Sequence, residues 1–600
     1  MQIRSAIRSQ GAEVMADGVH YRTWVPGKTE VAAIICNKNE IARTIPLMHE
    51  ADGYFSGIDQ RGRAGDLYKY RFADNDWPDP ASRFNPDGVH GPARVSDPRD
   101  YVWQDREWSC PAMSELVFYE LHLGTFTPEG TFRGAIGRLD HLVRLGVSAI
   151  EIMPVADFPG ARNWGYDGVS LYAPARVYGT PNDFRGLVDA AHARGLAVVL
   201  DVVYNHLGPD GNYLGAYSRE YFNPEHKTPW GDAFNFELKP VREFFAENPA
   251  YWRSEFHIDG FRLDATHAIL DSSEKHFLAE IADRVHSLGG FVTVEDERHE
   301  PLLLLPSARG GYGLDAAWAD DFHHVVRVML TGAREGYYRS YKGTVGELIA
   351  TLRDGWLLHG KARTRESSPN ECAELAPETF IFCIGNHDQI GNQAFGERLH
   401  QKVTPAAFRA ASALLCLVPY TPLIFMGDEW ATSAPFQFFT DHEAELGRKI
   451  TEGRRAEFGG FALFRDPAMR ERIPDPQAAE TFQRSKLRWK ELGEGVHAAT
   501  LRLYTELLRL RRTITALQDR RRSNWKVEET TPGIVEIVFG LTSKEKCKIV
   551  IDLVGGREGS LPNDSEWELL LSTNEKRFGG DEFAALIQPE VRVLWKVERD

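Results

Sequence analysis

Three acidic residues, each near the end of a short apolar run, are the residues in this sequence best suited to carry out chemistry. They are Asp264 after residues 260–263, Glu295 after residues 291–294, and Asp388 shortly after residues 380–384. A short apolar run bounded by Gly and polar residues is typical of a buried parallel strand, whose last residue projects from its C-terminal end. In a barrel of such strands, that end is where catalytic residues are placed.

Paired carboxylates can cleave a glycosidic bond, because one attacks the anomeric carbon while the other protonates the leaving oxygen. Arg262 lies on the same strand face as Asp264, and its fixed charge should keep Asp264 ionised. Glu295 needs a raised pKa to act as an acid, and Asp388 is a candidate source of the repulsion that raises it. Glu297 would share the face of Glu295, but Glu295 directly ends the apolar run and is preferred. Any one of these acids alone could also be a helix cap.

The elements that must position these acids alternate between strand and helix from about residue 106 to 525. This alternation predicts an α/β fold with a (β/α)8 TIM barrel as the catalytic domain. The eight predicted strands lie near residues 116–121, 149–153, 197–202, 260–263, 291–294, 314–317, 380–384 and 423–426. Residues 207–245 form a long insertion between the third and fourth strands, and loops of that length are usually functional.

Both ends of the chain have short alternating stretches separated by turn residues, which is an all-β pattern. Residues 1–105 predict an N-terminal β-sandwich, and residues 526–600 predict a C-terminal all-β domain, with the barrel at 106–525 between them. Residues 78–83 are rich in Pro and predict a rigid, extended linker.

The composition limits the classes of partner. The formal charge of −16 argues against a nucleic-acid partner, because no basic surplus is present to neutralise phosphates. No apolar run approaches the roughly 20 residues that span a bilayer, so no membrane association is expected. The six Cys are widely spaced, and the first residues lack an apolar stretch. These features predict a cytoplasmic protein with free thiols.

Four segments resemble the signature regions of the alpha-amylase family of glycoside hydrolases, in the same order. They are residues 201–206, 260–267, 294–295 and 385–388. The resemblance implies that Asp264 is the nucleophile, Glu295 the general acid/base and Asp388 the transition-state stabiliser, with retention of configuration. The residues that it implies for binding the cleaved sugar are Tyr166, Asp167, His206, Arg262, His267 and His387. The family also has a carbohydrate-binding-like sandwich at the position of residues 1–105.

Further segments are similar to the maltooligosyltrehalose trehalohydrolases, a group within that family. They are residues 119–127, 208–213, 228–231, 320–324, 435–442, 474–477 and 485–489. This similarity implies hydrolysis of the α-1,4 bond next to a terminal trehalose, with an oligosaccharide as the partner. Trp230, Asp321, His324 and Glu429 are the additional substrate-binding residues that we expect. Thr266, Gly385 and Asp428 depart from the usual pattern without replacing a catalytic acid.

Two alternatives stay open from the sequence. A glycogen branching enzyme shares the architecture but transfers the glucan to a 6-hydroxyl, and a non-catalytic glucan-binding scaffold could keep the fold without activity. Asn205 matches a calcium-binding position of several alpha-amylases, but no acid cluster accompanies it in the sequence. We therefore expect no metal and no cofactor.

Overall fold

The computed structural model describes residues 8–37, 40–358, 372, 374–555, 565–580 and 588–598. The first eight strands are Gly11–Met15 (β1), Gly18–Trp24 (β2), Val31–Asn37 (β3), Glu40–His49 (β4), Tyr54–Asp59 (β5), Leu67–Phe72 (β6), Asn75–Trp77 (β7) and Ala93–Arg94 (β8). They form one antiparallel sheet in the order β1, β2, β5, β4, β3, β6, β7, and β8 also pairs with β6. Residues 1–7 of the predicted N-terminal domain lie outside the described residues.

A closed barrel of eight parallel strands follows. Its strands are Phe118–Leu121 (β9), Ala149–Ile152 (β10), Ala197–Val202 (β13), Gly260–Leu263 (β16), Phe291–Val294 (β17), Ala316–Trp318 (β18), Phe380–Phe382 (β19) and Thr421–Phe425 (β20). The intervening strands Ala156–Asp157 (β11) and Ser170–Pro174 (β12) form one pair, and Phe222–Thr228 (β14) and Gly231–Phe234 (β15) form another. This confirms the predicted α/β barrel. Strand β20 starts earlier than predicted, at Thr421, since Pro422 is tolerated near a strand's first residue.

The barrel strands are buried along nearly their whole length, which is why they are continuous apolar runs. Helices surround them or lie in their connections. The described helices are Leu123–Phe126, Phe132–Ile136, Leu139–Leu145, Pro181–His192, Leu214–Tyr217, Lys239–Phe256, Phe277–Ser287, Asp320–Thr331, Val345–Asp354, His387–Gly391, Pro405–Leu417, Ala444–Glu457, Pro467–Glu471, Ala479–Ser485, Gly495–Thr513 and Thr515–Gln518. Within the described ranges, none of them is long and apolar enough to cross a membrane.

The strands of the C-terminal sheet are Trp525–Thr531 (β21), Ile534–Phe539 (β22), Glu545–Asp552 (β23), Glu568–Ser572 (β24) and Glu590–Val597 (β25). They form an antiparallel sheet in the order β21, β22, β23, β25, β24. Arg409, from a barrel helix, donates to the carbonyl of Thr573 at 2.8 Å and to the side chain of Asn574 at 3.0 Å. Antiparallel sheets therefore flank the barrel on both sides in sequence, while the exact domain limits stay a prediction. Residues 556–564, 581–587 and 599–600 of the predicted C-terminal domain lie outside the described residues.

The predicted linker at residues 78–83 is instead a buried wedge between the first sheet and the barrel. The Asp79 carboxylate accepts from Tyr68 at 2.6 Å, and the Arg83 guanidinium lies over the rings of Tyr172 and Tyr251 at 4.7 and 4.9 Å. Arg83 also donates to the carbonyl of Gln10 at 3.0 Å. The segment is buried because its polar groups find partners on both sides, which Pro content alone does not reveal.

The segment that follows the wedge is held at the N-terminal end of the barrel by contacts of Asp105. Asp105 Oδ2 lies 2.8 Å from Nδ1 of both His192 and His257. His192 Nε2 lies 2.9 Å from Asp259 Oδ2, and Asp259 precedes strand β16. The segment that joins the first sheet to the barrel is therefore held at the face opposite the strand ends that carry the three acids.

We expect Arg83→Ala to destabilise the folded protein by about 2–4 kcal/mol, because it removes a buried, hydrogen-bonded guanidinium and leaves two ring faces uncovered. Calorimetry or chemical unfolding would measure the change. Arg63→Ala is the matched control, since the Arg63 side chain, in the loop between β5 and β6, is 84% exposed. Equal stabilities of the two variants would contradict the wedge.

Candidate active site

One guanidinium contacts three carboxylates at the C-terminal end of the barrel. Arg262 Nη1 lies 2.7 Å from Asp201 Oδ2 and 2.9 Å from Asp264 Oδ1, while its Nη2 lies 2.6 Å from Glu295 Oε2. Arg262 is fully buried, and its guanidinium lies 4.1 Å above the ring centre of Trp318. The structure thus brings together the predicted residues Arg262, Asp264 and Glu295.

Strand register places these groups. Asp201 on β13 pairs directly with Arg262 on the adjacent strand β16, and β16 pairs in turn with β17. Asp264 and Glu295 are the residues directly after β16 and β17. Ala265 then adopts a left-handed conformation with φ of 39°, and its N–H donates to Glu295 Oε2 at 3.2 Å. This backbone strain occurs where the Asp264 and Glu295 carboxylates meet.

The pKa values of Asp264 and Glu295 are shifted in opposite directions. Burial alone would raise the pKa of Asp264, but Arg262, His206 and the amide of Asn205 lower it below its usual value. Burial raises the pKa of Glu295 well above its usual value, and the negative charges of Asp264 and Asp388 add to this against the effect of Arg262. The pair is therefore poised as one carboxylate and one carboxylic acid.

Asp201 is the third carboxylate on this guanidinium. Burial raises its pKa to about 6, since Arg262 compensates only part of the cost and Asp264 repels its charge. One positive charge cannot balance three buried negative charges, so the cluster holds at least one proton near neutral pH.

Asp388 sits at the start of the short helix His387–Gly391. The side chain of Asn386 accepts from the backbone N–H of Asp388 at 3.0 Å and of Gln389 at 3.1 Å, which fixes the turn. The Asp388 side chain is 38% exposed, and its Oδ1 lies 3.6 Å from His387 Nε2. Its carboxylate is thus more open to solvent than the other two predicted catalytic acids.

Aromatic and imidazole rings line the same end of the barrel. Tyr166 stacks on His387 with ring centres 5.0 Å apart, and its hydroxyl donates to Asp201 at 2.7 Å. His206 stacks on Trp230 at 4.7 Å, and the Trp230 side chain is exposed on the connection between β14 and β15. These four rings offer flat surfaces of the kind that sugar rings pack against.

The remaining predicted pocket residues lie nearby with different partners. Asp167 accepts from Asn163 at 2.6 Å and lies 3.3 Å from His442 Nε2. His267 is half-buried, with Nε2 3.9 Å from Glu297. His324 stacks on Tyr341 at 4.9 Å.

Two predicted substrate-binding residues do not reach an open surface, and their positions correct the expectation. Asp321 is fully buried and accepts from Tyr341 and from the backbone of Leu357 and Leu358. Glu429 is also fully buried. Its oxygens are occupied by Tyr119, His141 and the N–H of Gly427. Both carboxylates fix loops inside the fold.

Sequence reasoning did not assign Asp201, Asn205 or Asp320 to this site. Asn205 Nδ2 donates to the carbonyl and to Oδ2 of Asp264 at 2.7 and 2.8 Å, and its Oδ1 contacts the His206 ring. Asp320 is half-buried, accepts from Gln389 at 2.9 Å and adds to the negative charge that raises the pKa of Glu295. Asn205 had a signal, because it directly precedes His206; Asp320 was passed over for its neighbour Asp321.

Whether the protein has a metal site depends on how its potential ligand side chains are arranged. Among the residues that the structure describes, no group of three or more His, Cys, Asp and Glu side chains has the arrangement of a metal site. The amide nitrogen of Asn205 is directed at Asp264, so this residue positions the carboxylate.

The fold and the paired acids define a glycoside hydrolase of the alpha-amylase type. The alpha-amylase catalytic domain family matches residues 67–232. A crystal structure from Salmonella typhimurium, described as a candidate alpha amylase, superimposes with a TM-score of 0.86 at 36% identity and covers 99% of this chain and 100% of its own.

Two curated relatives indicate a particular group of glycoside hydrolases. The malto-oligosyltrehalose trehalohydrolase of Deinococcus radiodurans is 49% identical over 74% of this chain and 74% of its own length. That of Saccharolobus solfataricus is 43% identical over 84% of this chain and 86% of its own. The chain belongs to the malto-oligosyltrehalose trehalohydrolase family.

We expect Asp320→Asn to lower the pKa of Glu295, because it removes a nearby negative charge and keeps the oxygen that accepts from Gln389. A carbon-13 NMR titration of labelled Glu side chains, with the signal assigned by loss in Glu295→Gln, would measure it. Asp283→Asn is the control, since the Asp283 side chain is 57% exposed. An unchanged titration in Asp320→Asn would show that Asp320 does not act on Glu295.

Proposed function

We propose that this hydrolase cleaves the α-1,4-glucosidic bond next to the terminal trehalose of a maltooligosyltrehalose and releases trehalose. Cleavage of a glycosidic bond is supported by the cluster in which the Arg262 guanidinium contacts both Asp264 and Glu295. Family membership supports the choice of substrate, because two relatives with this reaction in their names align over most of the chain.

In the proposed mechanism, Asp264 is the nucleophile and attacks the anomeric carbon. Arg262 contacts Oδ1 and keeps the carboxylate ionised, while Asn205 donates to Oδ2, so the two residues together orient the carboxylate. Glu295 protonates the leaving glycosidic oxygen, for which its raised pKa is suited. Trehalose then leaves, and Glu295 takes a proton from the water that hydrolyses the glycosyl–enzyme.

Asp388 is assigned to stabilise the transition state. Positive charge develops on the sugar ring during cleavage, and a carboxylate that stays accessible beside the ring can interact with it. The shared guanidinium supports retention, because one nitrogen on each carboxylate keeps the two acids close. Retaining enzymes have carboxyl groups about 5 Å apart, whereas inverting enzymes need a wider gap for water.

We assign the trehalose side of the cleft to three segments, at residues 208–231, 320–324 and 427–442, of which the second is the start of the helix Asp320–Thr331. Trp230 projects from the first of them and stacks on His206. The third is fixed near the barrel mouth, because Asp441 pairs with Arg162 at 2.5 Å and His442 contacts Asp167. The α,α-1,1 linkage folds two glucoses against each other, and walls of this kind can select that shape over an extended chain.

Glu295→Gln should reduce hydrolysis of natural glucans far more than that of substrates with activated aryl leaving groups, because the latter depart without protonation. Steady-state kinetics on both substrate types would measure this. Glu297→Gln is the matched control, since the Glu297 side chain is 78% exposed. Equal losses on both substrates, or a larger effect in Glu297→Gln, would refute the assignment of Glu295.

The specificity constant for maltotriosyltrehalose should exceed that for maltopentaose by at least roughly tenfold, or about 1.4 kcal/mol in transition-state binding. The two substrates contain the same number of glucose units, so chain length does not confuse the comparison. A ratio near one would instead indicate a general α-1,4-glucan hydrolase. New 1,6 branches in long amylose would indicate a branching enzyme.

A further inference from the structure

A second buried ion pair lies inside the barrel beside the carboxylate cluster. Glu120, on strand β9, places Oε1 2.5 Å from Nδ1 of His387 and accepts the backbone N–H of His387 at Oε2, at 3.1 Å. Both side chains are 1% exposed. Glu120 therefore holds both the ring and the backbone of the residue that directly precedes Asp388.

The charge of Glu120 has to be balanced locally. A buried carboxylate without a compensating charge is strongly unfavourable. Arg262 is already shared by Asp201, Asp264 and Glu295. Among the described residues, His387 is the basic side chain within hydrogen-bond distance of Glu120. A protonated His387 imidazole is in the position to act as its counterion.

Glu151 gives a useful contrast. It pairs in register with Glu120 on the neighbouring strand β10, and it is equally buried. Neither of its carboxyl oxygens has a hydrogen-bond partner in the described part of the chain. Burial, together with the charges of Glu120 and Asp201, raises its pKa well above the usual value, which favours the uncharged form of Glu151.

The other nitrogen of His387 is directed away from Glu120. Nε2 lies 3.6 Å from Asp388 Oδ1, and the ring stacks on Tyr166 and is perpendicular to the ring of Trp164. Charged and titratable groups act on this ring from several strands and loops. They are Glu120, Glu151, Asp201, Arg262, Asp388 and His122, whose own pKa is lowered to about 3 by burial.

We propose that Glu120 is a positioning residue that keeps His387 an imidazolium and aims its Nε2–H, as a charged donor, at the sugar bound beside Asp388. The inference rests on the glycoside-hydrolase function proposed above. Burial by itself would lower the pKa of His387, but the charges of Glu120 and Asp388 raise it to about 9. A charged donor binds a hydroxyl oxygen more strongly than a neutral imidazole does.

Glu120→Gln keeps the size of the side chain and removes its charge. Because a charge that raises the pKa of His387 is lost, His387 should release its proton at lower pH. We expect kcat/KM at pH 7 to fall roughly 10- to 100-fold, with a smaller loss at pH 5, where the imidazole is protonated again. Glu120→Asp, which keeps the charge, should retain the wild-type shape of the pH profile.

Glu151→Gln is the matched control, because it makes the same chemical change in the same layer of the barrel at a group whose uncharged form is favoured. Its pH profile should equal that of the wild type. A profile of Glu120→Gln that matches the wild type, or an equal shift in Glu151→Gln, would overturn the proposal.

The charge state itself can be read without substrate. Nitrogen-15 NMR of labelled His, with the His387 signal assigned by its loss in His387→Asn, should show an imidazolium at pH 7 in the wild type and in Glu120→Asp, and a neutral ring in Glu120→Gln. A neutral ring in the wild type would disprove the proposal. If the protein hydrolysed no glucan, the proposed function would fail, while this titration would still decide the charge of His387.

Discussion

The site depends on a single buried positive charge that is shared among carboxylates of adjacent strands. Arg262 is fully buried, so its charge is not screened by solvent, and each carboxylate that contacts it also feels the others. The sharing is unequal, because Asp264 is further stabilised by Asn205 and His206, whereas Glu295 is repelled by Asp264 and Asp388. One cation thus produces an anion and an acid side by side, which is the difference in protonation that cleavage of a glycosidic bond requires.

The barrel strands hold these charged side chains in fixed positions. Parallel strands in fixed register place Asp201 opposite Arg262, and their C-terminal ends deliver Asp264 and Glu295 to the same point. Trp318 covers the lower face of the guanidinium and excludes water. Glu120 adds a further buried charge to this group, so the barrel interior near the site contains several charges at fixed positions. The apolar packing of the outer faces must compensate for the free-energy cost of burying them.

The barrel and the acids at its strand ends could be predicted from the sequence, because a buried strand followed by an acid is a local pattern and parallel register is regular. Residues on loops and helices could not be predicted in this way. Asp320 and Asp321 are adjacent, yet successive helix residues face different directions, so one lies near Glu295 and the other is buried under Tyr341. Glu429 follows a left-handed glycine, Gly427, and the resulting turn directs its carboxylate inward.

The buried wedge at residues 78–83 bears on how the parts of this chain can be exchanged during evolution. Arg83 covers two barrel tyrosines, and Asn85, just beyond the wedge, donates to Asp157 and Ser170 of the barrel. A barrel separated from its first sheet would expose aromatic faces and leave buried polar atoms unpaired. The N-terminal sheet is therefore not an independent module that recombination could replace freely. Substitutions on its barrel-facing surface should be accompanied by compensating substitutions on the barrel.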